Sequence, residues 1–369
     1  MDELDISQEE RRYWLALSVC DGIGPKRFQK LLHHFESAQI AWHATKEELC
    51  ESGIGERVSE DLIVFRETFS IEEYEERMAK LGIEYFTLQD STYPKLLKAS
   101  NNPPIVLYKK GTLSFNDNDI LISIVGTRRV TEYGREVTEF LVRDLVDAGC
   151  MIVSGLAMGV DAIAHSSTLA VGGKTIAVLG SGVDICTPAE NTRLYNSILE
   201  NGGAILSENP LGRMPNKGSF PMRNRIIAGL SRGVVVTEGS EDSGSLITAN
   251  NAFENDRLVF AVPGPITSSV SKGPISLIAR GAKMVMSAKD ILEEFNIPNI
   301  KGTKGIKRIK GLTKEEKKIV DVLQDQQLHF DELVKRTNFS SSQLGTLLSL
   351  MEMKGMIKSF ESGVFGLTT

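Results

Sequence analysis

Four short stretches of the 369-residue chain hold the residue types from which a site could be built. Gly126-Thr-Arg-Arg129 puts two guanidinium groups into one turn. Guanidinium forks match phosphate oxygens, and at a helix N-terminus they add to the backbone N–H groups there. Lys217-Gly-Ser-Phe220-Pro-Met-Arg223-Asn224-Arg225 sets three cations around one aromatic ring, in a Gly/Pro-punctuated loop that leads into a helix. Single-stranded nucleic acid asks for this mixture: charges that track the backbone and a ring on which a base stacks. Ser154-Gly155 and Gly244-Ser245 place small residues at turns, where a ligand can approach the main chain and helix-start amides can hold an anion. Asp161 and His165, four apart, share a helical face. They read either as an acid–base pair or as a short hydrogen bond that fixes a helix start. No nucleophile or metal-ligand set accompanies them, and the five histidines lack zinc spacing.

Each of these stretches follows an apolar run or opens a helical pattern. Ile120–Val125 breaks into Gly126, Met151–Val153 into Ser154-Gly155, Thr175–Leu179 into Gly180-Ser-Gly182, and Val234–Val236 into Thr237-Glu-Gly239. Such runs are too short for free-standing helices and suit strands buried on both faces of a parallel sheet. Between them, Glu132–Ala148 and Val160–Val171 have helical length and period. Strand, small-residue turn and helix, repeated, predict an open α/β sheet of Rossmann-like type, with its ligand site outside the carboxyl ends of the strands. Arg128, Ser154, Gly155, Gly182 and Ser245 are expected to converge there. The first turn is not GxGxxG: two arginines stand where a dinucleotide fold keeps glycines, so neither NAD nor any other cofactor is expected. Leu258–Ala261, a helix at Ile275–Ala279, a short strand near Met284 and a helix at Lys289–Phe295 are predicted to complete the sheet.

At this point the residues resemble a known family. Gly126-Thr-Arg-Arg129, Ser154-Gly-Leu-Ala-Met-Gly-Val-Asp-Ala-Ile-Ala-His165, Phe220-Pro-Met-Arg-Asn-Arg-Ile-Ile-Ala-Gly-Leu-Ser231 and Gly244-Ser-Leu-Ile-Thr-Ala249 look like the signature blocks of DprA, the DNA-processing protein of natural transformation, in the expected order. The resemblance implies a non-catalytic protein that binds and protects incoming single strands, loads the recombinase RecA and dimerises through its central domain. It implies Lys217 and Phe220 as the DNA-binding loop and Arg128 as a phosphate contact. Arg223 and Arg225 are expected to hold further phosphates, with Asn224 beside them. Gly126, Ser154, Gly155 and Ser245 are expected to let the strand approach the backbone. One family feature is missing: Thr187-Pro188-Ala189 lacks the lysine that often follows a Tyr-Pro turn, so Arg193 or Lys174 is expected to compensate. A rival reading is an enzyme like the nucleoside monophosphate phosphoribohydrolases, which carry a Gly-Thr-x-x-Glu segment. Here Thr248 stands where that glutamate would be, with Glu238, Glu241 and Asp242 nearby.

The flanks divide the chain into residues 1–80, 81–297, 298–311 and 312–369. In the first, Gly22-Ile-Gly24 and, thirty-one residues on, Gly53-Ile-Gly55 each precede a helical pattern. This resembles a repeated helix-hairpin-helix (SAM-like) unit, whose amides can hold a DNA phosphate; a bundle that uses glycines at its turns is the plainer alternative. Ile83–Leu88 and Ile105–Tyr108 read as edge strands leading into the Rossmann-like domain. The linker 298–311 is basic and Gly-containing. Glu315–Leu323, Phe330–Arg336, Gln343–Met353 and a hairpin over 355–367 read as a winged helix, whose third helix has no Lys or Arg and suits protein contact as well as duplex reading. The net charge of −6 requires any nucleic-acid site to be a local basic patch. No 18-residue apolar run and an acidic start argue against a membrane span or signal peptide. Four widely spaced cysteines read as reduced thiols, and the protein is expected in the cytoplasm.

Overall fold

The computed structural model describes residues 6–297, 313–323, 328–353, 356–360 and 363–367. Two compact units emerge, residues 1–299 and 300–369. The basic linker expected over 298–311 lies outside the described residues.

The first unit is built on nine strands: β1 (Ile83–Thr87), β2 (Val106–Lys110), β3 (Leu121–Val125), β4 (Met151–Ser154), β5 (Thr175–Val178), β6 (Ala204–Ser207), β7 (Gly233–Val236), β8 (Leu258–Ala261) and β9 (Lys283–Met284). They lie in the order β1-β2-β6-β5-β4-β3-β7-β8-β9. From β6 to β9 every pairing is parallel, and β1 and β2 join antiparallel. The chain leaves β3 towards β4, β5 and β6 on one side, then returns to β7 and runs the other way. The β3/β7 boundary is therefore the topological switch point, where open α/β sheets leave a crevice at the carboxyl ends of their strands.

The central strands alternate between two cores, as period-two side chains must. On one face Val125, Val153, Ile176, Val234 and Val236 pack on Ile226, Ile227 and Leu230 of the Ser219–Leu230 helix and on Ala249 and Ala252 of the Gly244–Glu254 helix. On the other, Ile122, Ile124, Ile152 and Val235 meet Leu141, Val142 and Leu145 of the Glu132–Asp147 helix. Burial on both faces explains why these strands read as apolar runs instead of alternating patterns. Neither β6 nor the Thr192–Glu200 helix before it is expected from the sequence pattern. β6 fills the place between β5 and β2, so β1 alone of the two lead-in strands is an edge.

The N-terminal helices belong to the same unit. Trp14, Leu17, Phe28 and Leu31 continue into one core with Tyr108, Ala177 and Ile205 of the sheet. The two glycine hairpins are present, with Ile23 and Ile54 buried and positive φ at Gly22, Gly53 and Gly55 (87°, 80° and 95°), a region costly for residues with a Cβ. Arg27 donates to the carbonyls of Gly22 (2.8 Å) and Ile54 (3.0 Å), and Lys30 donates to that of Gly53 (2.7 Å). These two cations brace one hairpin against the other.

In the second unit, helices Lys314–Leu323, Phe330–Thr337 and Ser341–Met353 pack around Ile319, Leu333, Leu344 and Leu348. A three-stranded antiparallel sheet completes the winged helix, in the order β10 (Leu328–His329), β12 (Val364–Leu367), β11 (Ile357–Phe360). Among the described residues no helix is long and apolar enough to cross a membrane, and all four cysteines are free thiols.

Candidate nucleic-acid interface

A cleft of about 590 Å³ opens at the switch point. Three segments wall it: the arginine turn after β3, the start of the Ser219–Leu230 helix with its lead-in loop, and the start of the Gly244–Glu254 helix.

The arginine turn is held from below by Glu238, which follows β7. Its carbonyl accepts from Thr127 N–H (2.7 Å), while its carboxylate accepts from Thr131 N–H (2.9 Å) and from the Thr131 hydroxyl (2.6 Å). Thr131 also caps the Glu132–Asp147 helix. A Cβ on Gly126 would stand 2.6 Å from Val160 Cγ2 and 2.8 Å from the Glu238 carbonyl, so only glycine fits this crossing. The turn thereby projects Arg128 and Arg129 into solvent at the rim. Glu238, a candidate catalytic carboxylate from the sequence, has both its oxygens engaged by Thr131.

Across the cleft stands Phe220, half-buried, with the Arg128 guanidinium carbon 5.5 Å from its ring centroid. It occupies the first turn of its helix instead of the preceding loop, because Asn216 closes the loop early: its side-chain oxygen accepts from Gly218 N–H (2.8 Å) and Ser219 N–H (3.0 Å). Lys217, on that loop, is exposed. Asn224 ties two walls together by donating to the Gly244 carbonyl (3.1 Å), and Ser245 pairs with the Ser243 hydroxyl (2.8 Å) that caps its helix. Asp242 lines the same cleft; a hydrogen bond from Ser240 lowers its pKa.

Arg223 forms part of the floor and is buried, donating to the Val178 carbonyl (2.6 Å). Burial pushes its pKa down; Asp161 opposes that shift and the charge of Arg128 adds to it. Asp161 in turn is pushed up by burial, against the pull of Arg223.

Comparison with known proteins decides the family. Residues 84–296 match the family model of DNA recombination-mediator protein A, and residues 308–362 match the DprA winged-helix domain. The chain belongs to the DprA family. It is 41% identical over 291 residues to Protein Smf of Synechocystis, covering 78% of this chain and 73% of that one. To DprA of Bacillus subtilis it is 43% identical over 222 residues, covering 60% of this chain and 74% of the relative. Among solved structures, DprA of Streptococcus pneumoniae superposes with a TM-score of 0.64 at 34% identity, over 79% of this chain and 99% of that one. DprA of Helicobacter pylori, a structure described for its single-stranded DNA binding mode, gives 0.52 at 32% identity, over 58% and 96%.

Within this DprA fold the expected site residues separate into two groups. Gly126, Arg128, Lys217, Phe220, Arg223, Asn224 and Ser245 line the cleft. Ser154, Gly155, Gly182 and Arg225 do not, and each has another physical role. Ser154 is fully buried and donates to the Ile124 carbonyl (2.6 Å). Gly155 donates its N–H to Asp161 (3.1 Å) and lies under Arg223, whose guanidinium would overlap a Cβ there. Its glycine serves an arginine, not a ligand. Gly182 packs on the Pro210 carbonyl, which a Cβ would approach to 2.6 Å. Arg225, two residues past Arg223 and so on another side of the helix, is buried in an ion pair with Glu208 and donates to the Asn102 carbonyl. It is not available to a phosphate.

The Asp161–His165 reading is also corrected. Asp161 accepts from Gly155, while His165 Nδ1 meets the Thr175 hydroxyl at 2.7 Å. Burial and the nearby Arg223 push the His165 pKa down to about 3, so the ring is neutral at physiological pH. Neither Lys174, which stands at the amino end of β5, nor Arg193 lines the cleft, so neither replaces the missing family lysine there. Among the described residues no group of His, Cys, Asp or Glu has the arrangement of a metal site.

Proposed function

We propose that this chain binds single-stranded DNA in the switch-point cleft, with phosphates at Arg128 and Lys217 and a base against Phe220. One observation carries the reading: the fold brings a half-buried ring and two exposed cations from distant parts of the chain to one crevice. Among the described residues neither Arg128 nor Lys217 sits in an ion pair, so their charge is available to a polyanion. Arg223, with Asp161 beside it, forms the floor, and Asn224 and Ser245 supply polar contacts. A stacked ring serves any base, which suits sequence-independent strand binding. The relative from Helicobacter pylori, described for its single-stranded DNA binding mode, supports the same reading. Protection of incoming strands, loading of RecA and dimerisation through the Rossmann-like domain complete the proposal; they rest on family membership.

The enzyme reading requires a carboxylate free to act at the cleft. Glu238 is engaged by Thr131, Thr248 stands where the related hydrolases carry glutamate, and of the two carboxylates that line the cleft Asp161 accepts from Gly155 N–H and Asp242 from Ser240. The test compares fluorescence anisotropy of a labelled oligo(dT) with that of a duplex of equal length, and assays AMP hydrolysis in the same preparation. The expected result is tighter binding of the single strand and no AMP cleavage. Duplex preference, or AMP turnover inhibited by the oligonucleotide, would overturn it.

A further inference from the structure

The loop carrying Lys217 reaches the cleft from a limb that is gripped by the N-terminal helices. Leu211 is buried in the core shared with Trp14 and Phe28, and its N–H donates to the Tyr74 hydroxyl (2.9 Å) on the Ile71–Lys80 helix. The next residue, Gly212, donates its N–H to Asp184 (3.0 Å to either oxygen), and Asp184 pairs with Arg77 of that same helix at 3.4 Å. Arg213 then forms an ion pair with Asp21, which precedes the first glycine hairpin, while its carbonyl accepts from Gly182 N–H (2.9 Å).

Past Arg213 the packing stops. Met214 is 67% exposed, and a groove of about 360 Å³ separates the limb from the hairpin, with Gly22, Ile23 and Gly24 on one wall and Arg213, Asn216 and Gly218 on the other. The limb is therefore held to the N-terminal helices directly at Leu211 and Arg213 and through Asp184 at Gly212, and the Asn216 turn that contains Lys217 fixes the loop's far end, with only Met214 and Pro215 between the two holds. A loop held in this way has less freedom to lose when its lysine engages a ligand.

We propose that the N-terminal helical layer positions the strand-binding loop, with Tyr74, Asp21 and the Arg77–Asp184 pair acting through the Leu211–Arg213 limb to set the reach of Lys217. Tyr74, Asp21, Arg77 and Asp184 do not line the cleft; they are positioning residues. The inference rests on the reading that Lys217 contacts the strand.

The experiment uses the full chain in two variants, Asp21→Ala and Tyr74→Phe, with the exchange Asp21→Arg plus Arg213→Asp as rescue. Thermal melting, the rate of tryptic cleavage after Lys217 without DNA, and oligo(dT) affinity are measured for each. Asp21 is exposed, so its loss should leave melting nearly unchanged. Cleavage after Lys217 should accelerate and affinity fall roughly two- to fivefold, the scale of an exposed ion pair. Tyr74→Phe, which leaves the Leu211 N–H without its partner, should do more. The charge exchange should restore both readouts, while Asp21→Arg alone should not. Unchanged cleavage in both single variants overturns the positioning role, as does faster cleavage with unchanged affinity. A wild-type chain that fails to bind oligo(dT) would instead overturn the reading beneath it.

Discussion

Phe220 decides whether the cleft is a contact surface or a piece of core. It lies against Gly180, where a Cβ would come within 3.4 Å of the ring, and faces the Arg128 guanidinium on the open side. If a base stacks there, Phe220→Ala should cost about 1–3 kcal/mol of binding, roughly 5- to 150-fold in affinity. Phe220→Trp should retain affinity. A core role would instead show as about 3–5 kcal/mol of lost folding stability with binding intact. Denaturant titration beside anisotropy separates these outcomes. At this scale, residue type was a good guide where a side chain reaches solvent: Arg128, Lys217 and Phe220 meet as their chemistry suggests. It was a poor guide for Arg223 and Arg225. Cations in one run read alike, but their helical phase sends one to the cleft floor and the other to Glu208, seventeen residues upstream. Nothing local in the sequence announces that partner.

The element that does most of this sorting is the Ser219–Leu230 helix. Its first turn presents Phe220, and its next turn places Arg223 over Gly155 and Arg225 on Glu208. Burial pushes the Glu208 pKa up while Arg225 pulls it down, the mark of a carboxylate that depends on its partner. Removing one member of such a pair leaves an uncompensated buried charge, so Arg225→Ala should cost about 3–5 kcal/mol of stability. Oligo(dT) affinity of the remaining folded protein should change little. Urea midpoints checked against anisotropy below the transition test this, and a large affinity loss at unchanged stability would return Arg225 to the DNA site. The strands and helices flanking the cleft were legible because apolar runs of three to six residues alternate with longer amphipathic stretches. β6 was not: its apolar run Ala204–Leu206 is as long as those of β4 and β7, but it leads into Ser207-Glu208-Asn209-Pro210 and not into a glycine-containing turn, so it lacks the pattern that marked the others; its place between β5 and β2 comes from tertiary pairing.

Across the whole molecule, a net charge of −6 leaves strand binding to one local concentration of cations. The winged helix forms its own compact unit, and its third helix, Ser341–Met353, contains no Lys or Arg. A chain ending at residue 311 should therefore keep most of its oligo(dT) affinity; a folded truncation that loses it would move the primary site to the second unit. The winged helix was legible from its three helical periods and hairpin. The grip of the N-terminal helices on the Leu211–Arg213 limb was not, because it joins residues more than a hundred positions apart.

The most direct test of the central claim is the salt dependence of oligo(dT) binding in the wild type and in the double variant Arg128→Ala with Lys217→Ala. Each phosphate neutralised on a single strand contributes about 0.7 to the slope of log affinity against log salt, so losing both cations should flatten that slope by about 1.4. A double variant that remains folded and keeps the wild-type slope would contradict the assignment of the cleft as the strand-binding site.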